Sequence, residues 1–271
     1  LYAGTPLGLN RLKIETSVAR KQISFTVAAG RVRQGYRVQP VITDYEGRPV
    51  EAPALEAKPA AASMQWSADW PNPRLWSQDD PYLYRLSLNV LDEAGNVVGT
   101  HPQHFGFREV SLRGNELCLN GVPARMFGVS CNHQTVDSWA RTDEEYNYRL
   151  FRAYREHFGV NAARFHHMPI YPAQLRAADR AGLLTINQSG LWTFGRFANY
   201  RAKDEFLRNM KTELAEWVWR DVNSPATMIW DVENEYVSGS PEWQDVWLKL
   251  DEIVKTVDTT RPTEHSGAGP Y

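Results

Sequence analysis

Residues 224–236 read SPATMIWDVENEY, a short apolar strand that runs directly into the pair Asn234-Glu235. Ile229 and Trp230 suit the pleated surface of a barrel strand, whereas a carboxylate in that setting is costly to desolvate. In a parallel (β/α) barrel the carboxyl ends of the strands face the active site, so Glu235 lies where a general acid is useful. The same pattern also suits a carboxylate that caps the next helix or pairs with a surface cation.

Other short apolar segments that are candidate strands alternate along the chain with segments of helical periodicity. The strand candidates are residues 125–129, 162–165, 183–186, 227–232 and 263–265. A helix is predicted to open at Thr142, with the acidic residues Asp143 and Glu144 in its first turn. Apolar stripes at helical spacing follow at Phe206, Leu207, Met210, Leu214, Trp217 and Val218, and at Val246, Trp247, Leu250, Ile253, Val254 and Val257. This alternation predicts a parallel barrel; an open doubly wound sheet would alternate similarly, but no Gly-rich phosphate loop follows any strand candidate.

The N-terminal hundred residues have a different period. Alternating runs at 23–27 and 82–90, separated by turn residues, predict a sandwich of short β-strands. The Ala/Pro-rich stretch 51–62 is predicted to be an exposed loop or an irregular edge. At 271 residues the chain exceeds the usual size of a single core, so two domains are expected. We place a sandwich at 1–112 and a barrel segment at 113–271, since Gly114 interrupts the strand pattern.

Charge and cysteine content exclude several classes of protein. The chain has 30 Lys plus Arg against 32 Asp plus Glu and no long basic run, which argues against a nucleic-acid partner or an anionic membrane surface. No apolar segment is long enough to span a bilayer. The cysteines Cys118 and Cys131 form neither a metal-ligand spacing nor a disulfide framework, so we expect two free thiols and no metal, and the cellular compartment stays open.

Four motifs in order resemble glycoside hydrolase family 2, the family of β-galactosidase, β-glucuronidase and β-mannosidase-like enzymes. They are NPRLWS at 72–77 with PYLY at 81–84, the junction at 105–133, GVNAAR at 159–164 with His167 and Pro169, and LRAADRAGLL at 175–184. The resemblance covers the chain from about residue 10 to its end. It implies an immunoglobulin-like β-sandwich followed by the first part of a catalytic (β/α)8 TIM barrel. It also implies a retaining exo-β-glycosidase that acts on carbohydrate without a cofactor, and it leaves the oligomeric state open.

The resemblance assigns roles to residues that match the family's motifs. Glu235 corresponds to the acid/base, and Asn234 to the amide that hydrogen-bonds the sugar 2-hydroxyl. Arg164 corresponds to the arginine that keeps the nucleophilic carboxylate ionised, because a nearby cation lowers a carboxylate's pKa. A surface or interdomain ion pair is the alternative for Arg164. His167 matches a substrate-pocket histidine, with a buried core histidine as the alternative, and His166 is expected to point elsewhere.

Two departures from the family pattern concern the pocket. Residues 129–134 read VSCNHQ where the family has Val-Asn-Arg-His-Glu, so Asn132 and His133 are retained only as pocket candidates. Asn187-Gln188 replaces the usual Asp-Glu after the third barrel strand. Neutral amides there indicate a different sugar subsite from that of the common β-galactosidases and β-glucuronidases.

Other candidates have less defined roles. Glu233 is too close in sequence to Glu235 to face it across a sugar ring, so we expect supporting hydrogen bonds or an ion pair at the strand end. Glu264 is expected to contact substrate or structure rather than act as the nucleophile. Trp192 and Phe194, after the third strand, and Trp139, after the first, could each stack on a sugar or pack into the core.

A complete barrel takes roughly 250 residues, more than 114–271 supply. We therefore expect the chain to end after its fifth barrel strand, with the nucleophilic carboxylate beyond Tyr271. The rival hypothesis is a non-catalytic carbohydrate-binding protein that has kept the barrel and lost one carboxylate. A Glu at the end of a later apolar strand would favour the enzyme, and its absence would favour the binding protein.

Overall fold

The computed structural model describes residues 4–132, 138–192, 203–234 and 241–266. The chain forms two compact units, one of Leu1–Glu109 with Asn223–Pro225 and one of Val110–Val222 with Ala226–Tyr271. The first unit contains the strands β1 (Leu9–Ser17), β2 (Gln22–Ala29), β3 (Arg37–Asp44), β4 (Lys58–Pro59), β5 (Ser63–Asp69), β6 (Tyr84–Leu91) and β7 (Val97–Phe105). These strands form two antiparallel sheets, in the orders β1-β2-β5 and β4-β3-β6-β7.

Strict alternation builds the core of this unit. Along β6 every second residue is buried, from Tyr84 to Val90, and β2 and β3 show the same period. Phe25 stacks on Trp66 with ring centroids 5.2 Å apart. The predicted β-sandwich is confirmed, and the stretch 51–62 contributes only the two-residue edge strand β4.

A small antiparallel sheet of β8 (Val110–Arg113), β9 (Glu116–Leu119) and β10 (Val122–Pro123) opens the second unit. The turn from β9 to β10 is Asn120-Gly121, and both residues have positive φ, 54° and 78°. A two-residue hairpin turn of this kind favours Asn-Gly because Asn and Gly tolerate that backbone region.

The rest of the second unit is a parallel sheet in the order β11-β12-β13-β14-β15. Its elements are β11 (Gly128–Asn132), α1 (Ser138–Thr142), α2 (Glu144–Phe158), β12 (Ala162–His166), α3 (Pro172–Ala181), β13 (Leu184–Gln188), α4 (Lys203–Asp221), β14 (Thr227–Asn234), α5 (Pro241–Lys255) and β15 (Thr263–Ser266). Strands and helices alternate as predicted, and the parallel sheet is that of a partial barrel. The apolar stripes of α4 and α5 pack on Trp230 and Val232 of β14.

Two boundaries differ from the prediction. The first barrel strand begins at Gly128 rather than at 125, because the side chain of Asn161 binds the preceding backbone: it accepts from Phe127 N at 2.7 Å and donates to Arg125 O at 2.8 Å. Thr142 ends α1 instead of capping the next helix. The N-cap of α2 is Asp143, whose Oδ1 accepts from Tyr146 N at 2.9 Å.

Both cysteines are free thiols, as predicted. Cys118 is buried, and burial raises the pKa of the Cys131 thiol to about 11. Within the described residues, the helices are all too short or too polar to cross a bilayer.

Candidate active site

Arg164 on β12 lies at the centre of a polar network at the carboxyl ends of the parallel strands. Its Nε donates to Asp231 Oδ2 at 2.8 Å, and its Nη2 donates to Asn234 Oδ1 at 2.7 Å. Both partners are on β14, two strands away in the sheet order. The structure therefore brings together Arg164 and Asn234, two residues that the sequence assigned to one site from segments 70 positions apart.

The contact with Arg164 fixes the orientation of the Asn234 amide. A guanidinium has donors only, so the atom facing it must be the carbonyl oxygen, and the Nδ2 group points the other way. Asn234 is buried, and its Nδ2 has no hydrogen-bond partner among the described residues. Its backbone N donates to Leu191 O at 2.9 Å, which holds the end of β14 against the loop after β13. The result is a fixed, buried N–H donor one residue before Glu235.

His166 and His167 follow Arg164 and are joined by a cis peptide bond. His166 does not point away as expected: its Nδ1 lies 2.9 Å from Arg164 Nη1 and must accept, so the neutral ring carries its proton on Nε2. His167 stacks on Trp192, with ring centroids 4.5 Å apart and planes 10° apart. Trp192 is bridged to Asn234 through the backbone and remains 41% exposed.

Asp231 was not singled out by sequence reasoning. Its side chain is fully buried, and Oδ2 accepts from both Arg164 Nε and Ser266 Oγ, the latter at 2.9 Å. Burial raises the pKa of Asp231, and the charge of Arg164 and the hydrogen bond from Ser266 offset this only in part. The available signal was an acidic residue inside the otherwise apolar run 227–232, since a buried carboxylate needs a partner.

The amide pair Asn187-Gln188 ends β13 rather than following it as predicted, and its two members lie in different environments. Asn187 Nδ2 donates to Asp221 Oδ2 at 3.1 Å, so the Asn187 side chain is hydrogen-bonded to helix α4. Gln188 is the strand partner of Asp231 in the sheet register. Gln188 is fully buried, and neither amide atom has a hydrogen-bond partner among the described residues. The different subsite expected from this pair stays a prediction.

Glu233 and Glu264, the two carboxylates not expected to be the nucleophile, each lie beside another ionisable group. Glu233 is buried and its Oε1 lies 3.5 Å from Nδ1 of His265, in line with the ion pair expected at the strand end. Glu264 is the strand partner of Asp231. Burial, followed by the nearby charge of Asp231, raises the pKa of Glu264.

Several predicted residues lie outside the described part of the chain. They are Glu235, His133 and Phe194. Asn132 ends β11, but its side chain is also outside that part. Trp139 on α1 packs edge-on against Tyr146, with centroids 5.2 Å apart, and is 56% exposed.

Family models match almost the whole chain. The model of glycosyl hydrolases family 2 matches residues 9–108, and the model of the TIM barrel domain of glycosyl hydrolases family 2 matches residues 110–270. The chain belongs to glycoside hydrolase family 2. The resemblance carried by the four sequence motifs is thereby confirmed, together with the order of sandwich and barrel.

Relatives and solved structures agree with this assignment. A β-galactosidase of Aeromonas hydrophila is 34% identical over 200 residues, which are 73% of this chain and 19% of that protein. A β-galactosidase of Psychromonas ingrahamii is 29% identical over 86% of this chain and 22% of that protein. The chain thus spans about a fifth of the curated relatives it matches.

Among solved structures, a glycosyl hydrolase family 2 member from Bacteroides cellulosilyticus matches with a TM-score of 0.75 at 25% identity, over 94% of this chain and 34% of that one. A β-glucuronidase from Ruminococcus gnavus matches with a TM-score of 0.73 at 18% identity, over 94% and 42%. The second match concerns the fold alone.

Proposed function

We propose that this chain carries the acid/base side of the active site of a retaining exo-β-glycosidase that removes terminal β-linked sugars. The observation that carries the proposal is the buried Asn234 amide, turned by Arg164 so that its Nδ2 group is left to donate, one residue before Glu235. Membership of a family whose curated relatives here include β-galactosidases supports the reaction class.

In the proposed mechanism a second carboxylate attacks the anomeric carbon while Glu235 protonates the departing glycosidic oxygen. Glu235 then removes a proton from the water that hydrolyses the glycosyl-enzyme intermediate. Asn234 Nδ2 donates to the sugar 2-hydroxyl, a contact that strengthens as the transition state forms. Arg164 holds Asn234 in place and supplies positive charge near the attacking carboxylate. Asp231 partly neutralises the charge of Arg164.

The remaining predicted residues form the rest of the proposed sugar pocket. The stacked rings of His167 and Trp192 offer an aromatic surface beside Asn234. The face of a β-linked sugar that carries C–H bonds would pack on such a surface. Asn132 and His133 are proposed to line the same pocket from the end of β11.

The full-length protein with Glu235→Gln tests the proposal. Turnover of glycosides with poor leaving groups should fall by roughly 10²–10⁴-fold, because those leaving groups need a proton. Activated aryl glycosides should lose less at the first step, and azide should restore part of the rate by replacing the base-assisted water. Glu205→Gln, at an exposed position on α4, is the matched control and should keep wild-type kinetics.

Equal losses on both substrate types without azide rescue would remove Glu235 from the acid/base role. A wild-type protein that binds glycosides but releases no sugar would instead support the non-catalytic binding protein.

A further inference from the structure

Glu233 is a buried carboxylate that the proposed mechanism does not use. Its side chain is fully shielded from solvent, and it lies immediately before Asn234 at the carboxyl end of β14. Leaving an ionised carboxylate in such a place is costly unless it is paired. One such charged neighbour is His265 of β15, whose Nδ1 lies 3.5 Å from Glu233 Oε1.

The same imidazole faces a second carboxylate. His265 Nε2 lies 3.1 Å from Oδ1 of Asp251 on α5. A neutral imidazole has one donor nitrogen and one acceptor nitrogen, so it can satisfy only one of two flanking carboxylates. An imidazolium carries an N–H on both nitrogens: Nε2 hydrogen-bonds Asp251, whereas Nδ1 faces Glu233 at an ion-pair distance without forming a hydrogen bond. The hydrogen bond and the second negative charge therefore favour the charged form of His265.

The other groups around His265 do not reverse this preference. The ring of Trp247 on α5 lies over it, with centroids 5.9 Å apart, and Glu264 is its neighbour on β15. Lys255, one turn after Asp251 on α5, donates to the carbonyl oxygen of Arg261. Burial by itself lowers the pKa of His265, but the hydrogen bond to Asp251 and the negative charges of Asp251 and Glu233 outweigh it and raise the pKa to about 9.

This arrangement ties together three elements at one point, namely β14 through Glu233, β15 through His265 and α5 through Asp251. The register of β14 against β15 shifts between Asp231 and Glu233, and beyond the shift Glu233 pairs with His265 and Asn234 with Ser266. A displacement of about 1 Å at a reacting group can reduce a rate on the order of 10²-fold.

We propose that His265 is a positioning residue that acts as an imidazolium clamp between Glu233 and Asp251, and so fixes the end of β14, where Asn234 lies and which Glu235 follows in sequence. The proposal rests on the function proposed above for those two residues. His265 touches neither sugar nor reacting atoms in this role. Its effect on catalysis passes through the placement of the acid/base.

The first test is a double-mutant cycle in the full-length protein with His265→Gln, Asp251→Asn and both together. His265→Gln should lower kcat on poor leaving groups by roughly 10–10²-fold, with a smaller change in KM and a smaller loss on activated aryl glycosides. The double variant should lose little more than the worse single variant, because both break one clamp. His157→Gln, at an exposed position in the last turn of α2, is the control and should match the wild type.

The second test needs no variant. Exchange of the imidazole C2 hydrogen, followed by mass spectrometry across pH, reports the protonation of each histidine in the wild-type protein. The transition of His265 should be centred near pH 9. A transition at or below the ordinary histidine value of about 6.5 would overturn the clamp.

The outcomes separate the two proposals. An active wild-type enzyme whose His265→Gln variant keeps wild-type kcat and leaving-group dependence overturns the role of His265 alone. A loss of kcat in His265→Gln that is equal on all substrates and additive with the loss in Asp251→Asn would also overturn it. Such losses indicate general destabilisation of the protein. A full-length protein that hydrolyses no glycoside overturns the proposed function, and the positioning role falls with it.

Discussion

At the amino end of β15, Asp258 accepts hydrogen bonds from Trp230 Nε1 at 2.7 Å, Arg261 Nη1 at 2.5 Å and Thr260 N at 2.9 Å. Toward the carboxyl end of β14, the equally buried Asp231 receives its donors on Oδ2, and its Oδ1 has no hydrogen-bond partner among the described residues. Burial alone raises the pKa of each, but around Asp258 the charge of Arg261 and the nearby donors reverse the shift.

The difference in hydrogen bonding between Asp258 and Asp231 corresponds to their positions at opposite ends of the barrel sheet. A carboxylate with donors on both oxygens stabilises the folded state, whereas an incompletely paired one carries a desolvation penalty that needs another reason to persist. In TIM barrels the carboxyl ends of the strands face the chemistry, and the amino ends serve stability. We expect substitutions at the two ends to separate into effects on stability and effects on activity.

The largest effect is expected for Asp258→Asn. It removes the carboxylate that forms a buried ion pair with Arg261, so the free energy of unfolding should fall by about 3–5 kcal/mol. Hydrogen exchange of amides in β14 and β15, read by mass spectrometry on the full-length protein, measures the local loss. Activity per folded molecule should be unchanged. Glu156→Gln, which breaks an exposed ion pair with Arg152, is the control and should change little.

The reverse pattern is expected for Asn234→Ala. Loss of the 2-hydroxyl contact should reduce kcat/KM on the natural sugar on the order of 10²-fold, with a much smaller loss on its 2-deoxy analogue. Hydrogen exchange of the amides in β14 and β15 should barely change in Asn234→Ala. Equal kinetic losses on the two sugars would show that Asn234 makes no contact with the 2-hydroxyl.

Some of these features could be predicted from the sequence, and others could not. The alternation of strands with amphipathic helices was sufficient for the parallel sheet, and the four motifs were sufficient for the family. The start of β11 was misjudged because the side chain of Asn161 captures residues 125–127, an interaction between segments that no local period encodes. The role of Asp231 depends on the register that sets it beside Arg164 and Ser266, and register across strands is not readable from one segment.

A smaller effect with a diagnostic sign is expected for Asp231→Asn. The amide oxygen can accept from both Arg164 and Ser266 as Oδ2 does, so stability at neutral pH should change by less than about 1 kcal/mol. Because the folded-state pKa of Asp231 is raised, the native protein binds its proton more readily, and the wild type loses stability as pH rises through that pKa. Asp231→Asn should therefore gain stability relative to the wild type as pH rises above the ordinary aspartate pKa of about 3.9.

The two aspartates should differ in the direction of their pH dependence. For Asp258 the folded-state pKa is lowered, so its contribution is present above the unfolded value of about 3.8 and is lost as pH falls through the folded value. As pH falls, the stability of Asp258→Asn should rise toward that of the wild type. The stability of Asp231→Asn, which exceeds that of the wild type at higher pH, should fall toward it. Parallel pH profiles in the two variants would contradict the comparison between the two ends of the sheet.

The smallest effect is expected for Trp192→Ala. The indole stacks on His167 beside Asn234 with much of its surface exposed, so it is placed to bind a sugar face and contributes little to the core. Its loss should raise KM by a few-fold to about tenfold, equivalent to about 0.5–1.5 kcal/mol, with little change in kcat. Trp192→Phe should retain most of the affinity. Trp139→Ala removes an indole of similar exposure that packs on Tyr146 of α2, and it should leave KM unchanged. An unchanged KM in Trp192→Ala together with faster amide exchange in β13 would instead assign Trp192 to the packing of its loop.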